Sequence, residues 1–519
     1  MAGALIATRA LRCISNQSVA IPGCVWERAH KRNIIIHRRL FSTASINNLI
    51  EHHKRIRCLV PKTTFAQLDP SQVFTNSELR LTDIEVIGFD YDYTLAPYNG
   101  ALEGTIFNMI IEGLVSSRHY PPEISQLNYN PDFLARGVHF DILTGVFMKV
   151  DAYHRIAPDS VYQCFRKLTE KEIQDMYPGM RLFFPGGDSK RFRQIVDLFQ
   201  IPELYAWCSV LDYLQSTQST PHPVLVYEDI KNVTSELHVH GTLHSHIMRN
   251  IEEYIEPNPK LVDMLVMLRR ENKQLFILTN SPYEFLNVGM KHIMGENWRK
   301  SFDVVICQSM KPKFFEDKYR VFRRLTSHNT PAYGQVTEFK EGEVYCEGNV
   351  RDLHRLTGWQ PCNILYFGDQ MYADLAEPVL NQGWHTGAII RELEKEIELL
   401  NSAEHQHNMF ILKELNNLIR EVQRFLPDPT AVHYTDLWCI ERKQVRAELR
   451  RLHISEFCSS FRTHLMPTLF YRRLSRFAEI YTSNLTNLAH YHPSHYRFTP
   501  VRQDLPHEIS GNSGMLDND

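Results

Sequence analysis

The stretch "VIGFDYDYTL" at residues 86–95 ends an apolar run in two acids. Asp90 closes the run, and Asp92 follows one residue later. Two ionised carboxylates this close repel each other, and removing them from water is costly unless a positive charge compensates. The pattern fits a cation site. It also fits an ordinary strand end whose turn acids are solvated.

Three further apolar runs follow the same pattern, in which an apolar stretch is followed directly by polar residues. They are "KQLFILTN", which ends at Thr279 and Asn280, "FDVVICQS", which is followed by "MKPKFF" with Lys311, and "CNILYFGD", which ends at Asp369. Short apolar runs bounded by turn residues are typical of strands buried on both faces of a parallel sheet. Between the first two runs, residues 258–273 ("NPKLVDMLVMLRRENK") carry apolar side chains at helical spacing.

This alternation of strand and helix predicts an α/β fold with a Rossmann-like parallel sheet and right-handed crossovers. Ligands of such sheets bind beyond the carboxyl ends of the strands. All four sets of polar residues fall at that edge, which favours the cation site over the solvated turn.

The chemistry of these polar residues points to phosphoryl transfer. Carboxylate oxygens suit Mg²⁺, whereas hydroxyl, amide and ammonium donors suit phosphate oxygens. A carboxylate can also attack phosphorus and form an aspartyl-phosphate. The set therefore predicts metal-assisted phosphoryl transfer that depends on positioning and electrostatic stabilisation.

Four motifs, "DYDYT", "LTNS", "MKPKFF" and "GDQMYAD", resemble in this order those of the haloacid dehalogenase superfamily. More narrowly, the chain resembles the cytosolic purine 5′-nucleotidase group, and within it the 5′-nucleotidase-domain-containing proteins. Flanking stretches such as "RGVHFDILTGVFMKVDAYH" at 136–154 and "GWHTGAIIRELEKEI" at 383–397 support the resemblance. It implies a haloacid-dehalogenase-like core, an inserted α+β cap that closes over the site, and a helical C-terminal appendage.

The resemblance also implies a role for each motif residue. Asp90 would be the nucleophile and a Mg²⁺ ligand. Asp92 would be the general acid and base, and its backbone carbonyl would bind the metal. Asp369 would be a further metal ligand, with Asp374 beside the metal site. The residues that bind phosphate, or neutralise the aspartyl-phosphate, would be Thr279, Asn280 and Lys311.

Four positions depart from the pattern of these relatives. Gln370 stands where they usually have His, and His240 stands where they usually have a cap Lys. Lys231 and Ser235 stand where the purine nucleotidase has the Arg and Asp that help to hold substrate.

The expected activity is that of a Mg²⁺-dependent 5′-nucleotidase acting on nucleoside monophosphates. Two alternatives stay open: a weakly active or inactive scaffold or nucleotide-binding protein that keeps the fold, and a phosphatase for a non-nucleotide phosphomonoester.

The predicted organisation has five parts. They are a mitochondrial presequence at 1–45, a phosphatase core at 75–125 and 256–420, a cap insertion at 126–255, a helical C-terminal extension at 421–495 and a disordered tail at 496–519. The first 45 residues carry seven Lys or Arg against the single acid Glu27, which is typical of a presequence. A disordered basic tail on a cytoplasmic protein is the alternative.

Composition argues against several classes of protein. A net charge of −3 over 519 residues gives no general attraction for nucleic acid. The ten cysteines include no CxxC pair, which argues against a zinc ribbon. No apolar window approaches the ~18 residues of a membrane span. A homo-oligomer is expected only because the purine nucleotidase relatives form oligomers.

Two other tempting patterns are interpreted as parts of the cap. His238, His240, His244 and His246 match no common zinc spacing. The segment "PGGDSKRF" at 185–192 lacks the ending of a phosphate-binding loop.

Overall fold

The computed structural model describes residues 45–56, 58, 66–182, 190–217, 219–502 and 505. The chain falls into two compact units, one made of residues 1–64 with 407–447 and one of residues 65–406 with 448–519. The predicted presequence lies outside the described residues up to position 44, as does most of the predicted tail. Both therefore stay predictions.

The helices are numbered along the chain. They are α1 (residues 45–56), α2 (Ala101–Arg118), α3 (Glu170–Met176), α4 (Gln200–Ser216), α5 (Pro223–Val239), α6 (Thr242–Arg249), α7 (Ile251–Tyr254), α8 (Pro259–Arg270), α9 (Tyr283–Met294), α10 (Lys313–Glu316), α11 (Val350–Thr357), α12 (Glu392–Asn401), α13 (Ala403–Val422), α14 (Pro429–Arg451) and α15 (Leu469–Phe477). None of the described helices is both long and apolar enough to cross a bilayer.

The larger unit is built on a central sheet, which has nine strands within the described residues. Their order is β1 (Phe74–Thr75), β15 (Ile480–Thr482), β14 (His385–Ile389), β13 (Ile364–Gly368), β3 (Val86–Phe89), β9 (Gln274–Leu278), β10 (Val304–Cys307), β12 (Tyr345–Glu347) and β11 (Phe322–Arg324). The inner strands are all parallel, and only the edge strands β1 and β11 pair antiparallel. The α/β fold predicted from the four apolar runs is confirmed.

The four predicted strands lie side by side at the centre of the sheet, in the order β13, β3, β9, β10. Every residue of β3 is buried, as expected for a strand covered on both faces. Gly88 in β3 is required by close packing, because a Cβ there would lie 2.1 Å from the Phe276 ring. Helix α8 matches the helical spacing seen at 258–273, and Asn258 caps it by accepting from Leu261 N.

The insertion between β3 and β9 has its own antiparallel sheet. Its strands lie in the order β7 (Arg166–Lys167), β6 (Ile156–Gln163), β5 (Val146–Val150), β4 (His139–Asp141), β8 (Phe192–Gln194). Apolar side chains of the insertion, such as Phe140 and Trp207, share one continuous core with Ile87 and Leu275 of the central sheet. The inserted α+β region is therefore packed firmly onto the sheet.

The C-terminal part of the larger unit adds to the central sheet. Strand β15 pairs parallel with β14 and antiparallel with β1. The short strand β16 (Arg497–Phe498) pairs with β2 (Leu79–Arg80). The sequence predicted a helical extension at 421–495 and did not predict a strand of the sheet within it.

Most described residues of the smaller unit belong to helices α1, α13 and α14. Trp438 is fully buried and its ring lies 5.4 Å from that of His53. Two histidines of α1 face glutamates: His52 lies 2.9 Å from Glu414, and His53 lies 2.7 Å from Glu441.

Candidate active site

The four motifs meet because their strands are neighbours and end at the same edge of the sheet. Just beyond β3, Asp90 N donates to Phe367 O at 2.8 Å, and just beyond β9, Thr279 N donates to Ile306 O at 3.0 Å. The sheet ladder thus continues into the motif residues. Their side chains start from a fixed backbone.

Three carboxylates converge at this edge. Asp90, Asp369 and Asp374 each offer an oxygen, and these oxygens lie within 4.8 Å of one another. They are the only such group of His, Cys, Asp or Glu among the described residues. All three residues are buried, with 8%, 6% and 1% exposure. Gly368 permits this approach, because a Cβ there would lie 2.4 Å from the Asp374 carboxylate.

Lys311 ties two of these acids together. Its Nζ lies 2.9 Å from Asp90 Oδ1 and 2.7 Å from Asp374 Oδ1, and it donates to the Tyr366 hydroxyl at 2.8 Å. Burial alone would lower the pKa of Lys311, but the Asp374 and Asp90 carboxylates raise it, so the ammonium keeps its charge. Lys311 therefore pairs with two of the three acids, whereas the third, Asp369, lies 3.7 Å from the Arg136 guanidinium.

Burial makes two of these carboxyls, Asp369 and Asp374, costly to ionise. Burial raises the pKa of Asp369 well above its usual value, and Arg136 opposes this shift. Burial also raises the pKa of Asp374, although Lys311 opposes it. Carboxyls that resist ionisation in this way are the ones that a bound divalent cation would stabilise.

Asp92 faces a different set of partners, and its carboxylate is not one of the three that converge. Its Oδ1 accepts from the Tyr98 hydroxyl at 2.6 Å, and its Oδ2 accepts from Ser281 Oγ at 2.5 Å. Burial and the nearby Asp90 charge raise the pKa of Asp92 to about 6, while these two hydrogen bonds oppose the shift. Such a pKa suits a group that gives and takes protons near neutral pH.

The predicted phosphate-binding residues lie beside Lys311. Thr279 is fully buried, and its hydroxyl accepts from Ser281 N at 3.1 Å. The Asn280 side chain holds the following motif, because its Oδ1 accepts from Lys311 N at 2.6 Å and its Nδ2 donates to Lys311 O at 3.1 Å. Asn280 therefore acts through its side chain on the loop that carries Lys311.

Sequence reasoning missed Arg136, which is fully buried at the start of the insertion. It makes two hydrogen bonds to the Glu392 carboxylate, at 2.8 and 2.5 Å, and donates to the Asp369 carbonyl at 2.8 Å. The only available signal was that Arg136 and Glu392 both lie in the flanking stretches that carried the resemblance. Their pairing across the sequence could not be read from either stretch.

Gln370, which stands where relatives were expected to have His, makes two side-chain hydrogen bonds. Its side-chain oxygen accepts from Ala373 N at 3.2 Å, and its side chain also hydrogen-bonds Asp197, a residue of the insertion. Burial raises the pKa of Asp197 despite this bond. Gln370 thus links the fourth motif to the insertion.

The cap positions singled out from the sequence lie on the surface. Lys231 and Ser235 on α5, and His240 at its end, are exposed. His238 and His244 are partly buried, and their rings contact Phe199 and Phe285 respectively. Burial lowers the pKa of His244 to about 4, so this histidine is neutral near pH 7. Of the segment 185–192, residues 185–189 lie outside the described part of the chain.

Comparison with known proteins agrees with the motifs. Residues 73–510 match the model of the 5′ nucleotidase family. The human 5′-nucleotidase domain-containing protein 2 is 35% identical over 475 residues, which cover 90% of this chain and 91% of the human protein. The rat 5′-nucleotidase domain-containing protein 2 is 36% identical over 458 residues, which cover 87% of this chain and 82% of the rat protein.

Solved structures are more distant. L-2-haloacid dehalogenase from Xanthobacter autotrophicus is 12% identical to this chain and overlaps it with a TM-score of 0.20, covering 59% of this chain and 78% of that one.

Proposed function

The chain belongs to the 5′ nucleotidase family, and we propose that it is a Mg²⁺-dependent phosphomonoesterase that hydrolyses nucleoside monophosphates through an aspartyl-phosphate on Asp90. The family makes it a hydrolase of the nucleotidase-like phosphatase type whose substrate is a small phosphate ester. The metal, the nucleotide and the covalent step are the proposal. The observation that carries it is the convergence of Asp90, Asp369 and Asp374, the first and last of which pair with Lys311.

The residues present fit Mg²⁺. Carboxylate oxygens are its preferred protein ligands. The two cations beside the three acids, Lys311 and Arg136, do not balance them, because Arg136 is shared with Glu392. Asp90 and Asp369 would hold the ion together with the backbone carbonyl of Asp92, and Asp374 would lie beside them. When bound, the ion would neutralise charge that develops on the transferred phosphoryl group.

The first half-reaction uses two acids with separate tasks. The Asp90 carboxylate attacks phosphorus as the bond to the ester oxygen breaks, and Asp92 delivers a proton to that oxygen. Lys311, 2.9 Å from Asp90, stabilises the phosphorylated carboxylate. Thr279 Oγ1 and the backbone of Asn280 would bind phosphate oxygens, because the Asn280 amide is committed to the Lys311 backbone.

The second half-reaction returns the site to its starting state. Asp92, now ionised, takes a proton from water as the water oxygen attacks phosphorus. The bond between phosphorus and Asp90 breaks, inorganic phosphate leaves and the Asp90 carboxylate is restored. In the structure the Asp92 carboxylate accepts from the Tyr98 and Ser281 hydroxyls and lies outside the group of three converging acids, which suits a group that must give and take a proton in each turnover.

Purified protein tested with Mg²⁺ on a panel of phosphomonoesters decides between this proposal and its rivals. The proposal expects turnover of at least one nucleoside monophosphate, with loss of turnover in Asp90→Asn. Turnover confined to sugar or other non-nucleotide phosphates would establish the enzyme and overturn the substrate. No turnover of any ester by folded protein would favour a scaffold.

We also propose import into mitochondria with removal of a segment that ends near Phe41. The basic, acid-poor composition of residues 1–45 supports this, and "HRRLFSTAS" at 37–45, with arginines just before an aromatic and small residues, resembles a processing site. N-terminal sequencing of the mature cellular protein tests it, and an intact N-terminus would overturn it.

A further inference from the structure

Tyr98 is fully buried, and its hydroxyl points at Asp92. The phenol oxygen lies 2.6 Å from Asp92 Oδ1, on the opposite carboxylate oxygen from the one bound by Ser281. Asp92 is therefore held at both oxygens by hydroxyl donors. Because each carboxylate oxygen can accept more than one hydrogen bond, Asp92 can keep these donors and still exchange a proton with substrate.

The backbone around Tyr98 is fixed from several directions. Its carbonyl accepts from the Arg391 guanidinium. Tyr98 forms an isolated β-bridge with Ile255, where the insertion returns to the core, and the adjacent Asn99 N donates to Tyr254 O at 2.9 Å. These contacts leave the Tyr98 backbone little freedom.

The Tyr98 ring is equally restricted. It packs edge-on against Tyr93 at 5.1 Å between ring centroids, and against Phe199 of the insertion at 6.2 Å. Because the ring and the backbone are both held, the position of the Tyr98 hydroxyl is fixed, and it donates to Asp92 Oδ1.

We infer that Tyr98 is a positioning residue, which orients Asp92 for protonation of the leaving group and stabilises the carboxylate that this step produces. This inference rests on the proposed function. In the first half-reaction the proton moves from Asp92 to the ester oxygen, which takes the electron pair of the breaking bond. Tyr98 keeps its own proton throughout and continues to donate to Asp92. It touches neither the substrate nor the phosphoryl group.

The leaving group offers a readout that a merely structural role does not move. A nucleoside leaves as an alkoxide unless it is protonated, whereas p-nitrophenolate leaves readily without a proton. The value of kcat/KM covers only the steps up to departure of the leaving group, so dephosphorylation of Asp90 does not enter it. The ratio of kcat/KM for the two esters on one preparation is also independent of the fraction of protein that is folded.

Tyr98→Phe is the variant, and Tyr93→Phe is its matched control. Tyr93 is a buried neighbour of the same loop, and its hydroxyl has no hydrogen-bond partner among the described residues. Tyr98→Phe should lower kcat/KM for a nucleoside monophosphate about 10- to 100-fold, the range of a lost hydrogen bond to a charged group, and for p-nitrophenyl phosphate at most about threefold. Tyr93→Phe should leave the ratio of the two values as in the unaltered protein.

A second measurement confines the effect to Asp92. In an Asp92→Asn background, where no proton donor remains, adding Tyr98→Phe should not change the ratio further. The inference is overturned, while the proposed function stands, if Tyr98→Phe lowers kcat/KM equally for both esters. It is also overturned if Tyr98→Phe changes the ratio of the two kcat/KM values in the Asp92→Asn background. If the unaltered protein hydrolyses neither ester, the proposed function itself fails.

Discussion

The edge of the central sheet and the surface of α5 differ in how they are built. At the edge of the sheet, Asp90, Asp369 and Asp374 are buried and tied to Lys311 or Arg136. On α5, Lys231 and Ser235, which the sequence predicted to lie at substrate-holding positions, are exposed. Burial and ion pairing make the residues at the edge of the sheet intolerant of substitution, because loss of one partner leaves a buried charge unpaired. The exposed α5 positions carry no such penalty, so substitutions there are expected to be tolerated better.

The largest expected effect is at Asp90. Asp90→Asn removes the attacking oxygen, so turnover of every ester should fall by about 10⁵-fold or more, as for the loss of other catalytic nucleophiles. Steady-state assays on nucleotide and p-nitrophenyl esters measure it. Ser235→Ala, on the exposed face of α5, should change kcat less than threefold. Comparable losses in both variants would remove the contrast between the two regions.

Mg²⁺ should stabilise the protein through the converging carboxylates. A ligand that binds only the native state adds about 2.7 kcal/mol when present at 100 times its Kd, so millimolar Mg²⁺ should raise the melting temperature by a few degrees. Asp369→Ala should abolish the response. Glu203→Ala, which removes a partly buried acid of the insertion, is the control and should preserve it. A melting temperature indifferent to Mg²⁺ in the unaltered protein would show that the metal assignment is wrong.

Stability should also depend on pH through Asp92. Its pKa is about 6 in the folded protein and about 4 when unfolded. The folded state therefore holds the proton more tightly, and stability should be lost as pH rises from about 4 to about 6. In metal-free buffer, the free energy of unfolding of the unaltered protein should fall over this range by about 2 kcal/mol more than that of Asp92→Asn. This figure is reduced from the full value of the pKa shift because Asp92 is partly exposed. Denaturant titrations at both ends of the range measure it. A difference that is constant or grows with pH contradicts the raised pKa.

The smallest effect is expected at the cap. Lys carries a permanent charge near pH 7, whereas His is largely neutral, so His240→Lys should lower KM for a purine monophosphate about two- to fivefold. Val239→Lys adds the same charge at the neighbouring exposed position and should not do so. An unchanged KM in His240→Lys, or an equal fall in both variants, would count against a substrate contact at this place.

The parts of the molecule that the sequence could predict are those with local signals. Strands β3, β9, β10 and β13 were recognisable because apolar runs buried on both faces end in polar residues. Their side-by-side order explains why Asp90, Thr279, Lys311 and Asp369 meet. Strand β15 was missed because it has only three residues and lies in a segment dominated by helical patterns.

The missed site residues depend on contacts between distant parts of the chain. Arg136 is intelligible only beside Glu392, from which it is separated by 256 positions. Tyr98 has no distinctive spacing, and its role follows from burial and from the direction of its hydroxyl. Neither property can be read from one sequence.

The most direct test of the central claim is to trap phosphate on Asp90. In Asp92→Asn the nucleophile remains, but the base that activates water is lost, and general acid–base catalysis is typically worth about 10² to 10⁴ in rate. p-Nitrophenyl phosphate needs little protonation to react, so the variant should release a burst of p-nitrophenol and then stall. Acid quenching and peptide mass spectrometry should find phosphate on Asp90, and none in Asp90→Asn/Asp92→Asn. Active protein with no covalent phosphate, or with phosphate on another residue, would contradict the account.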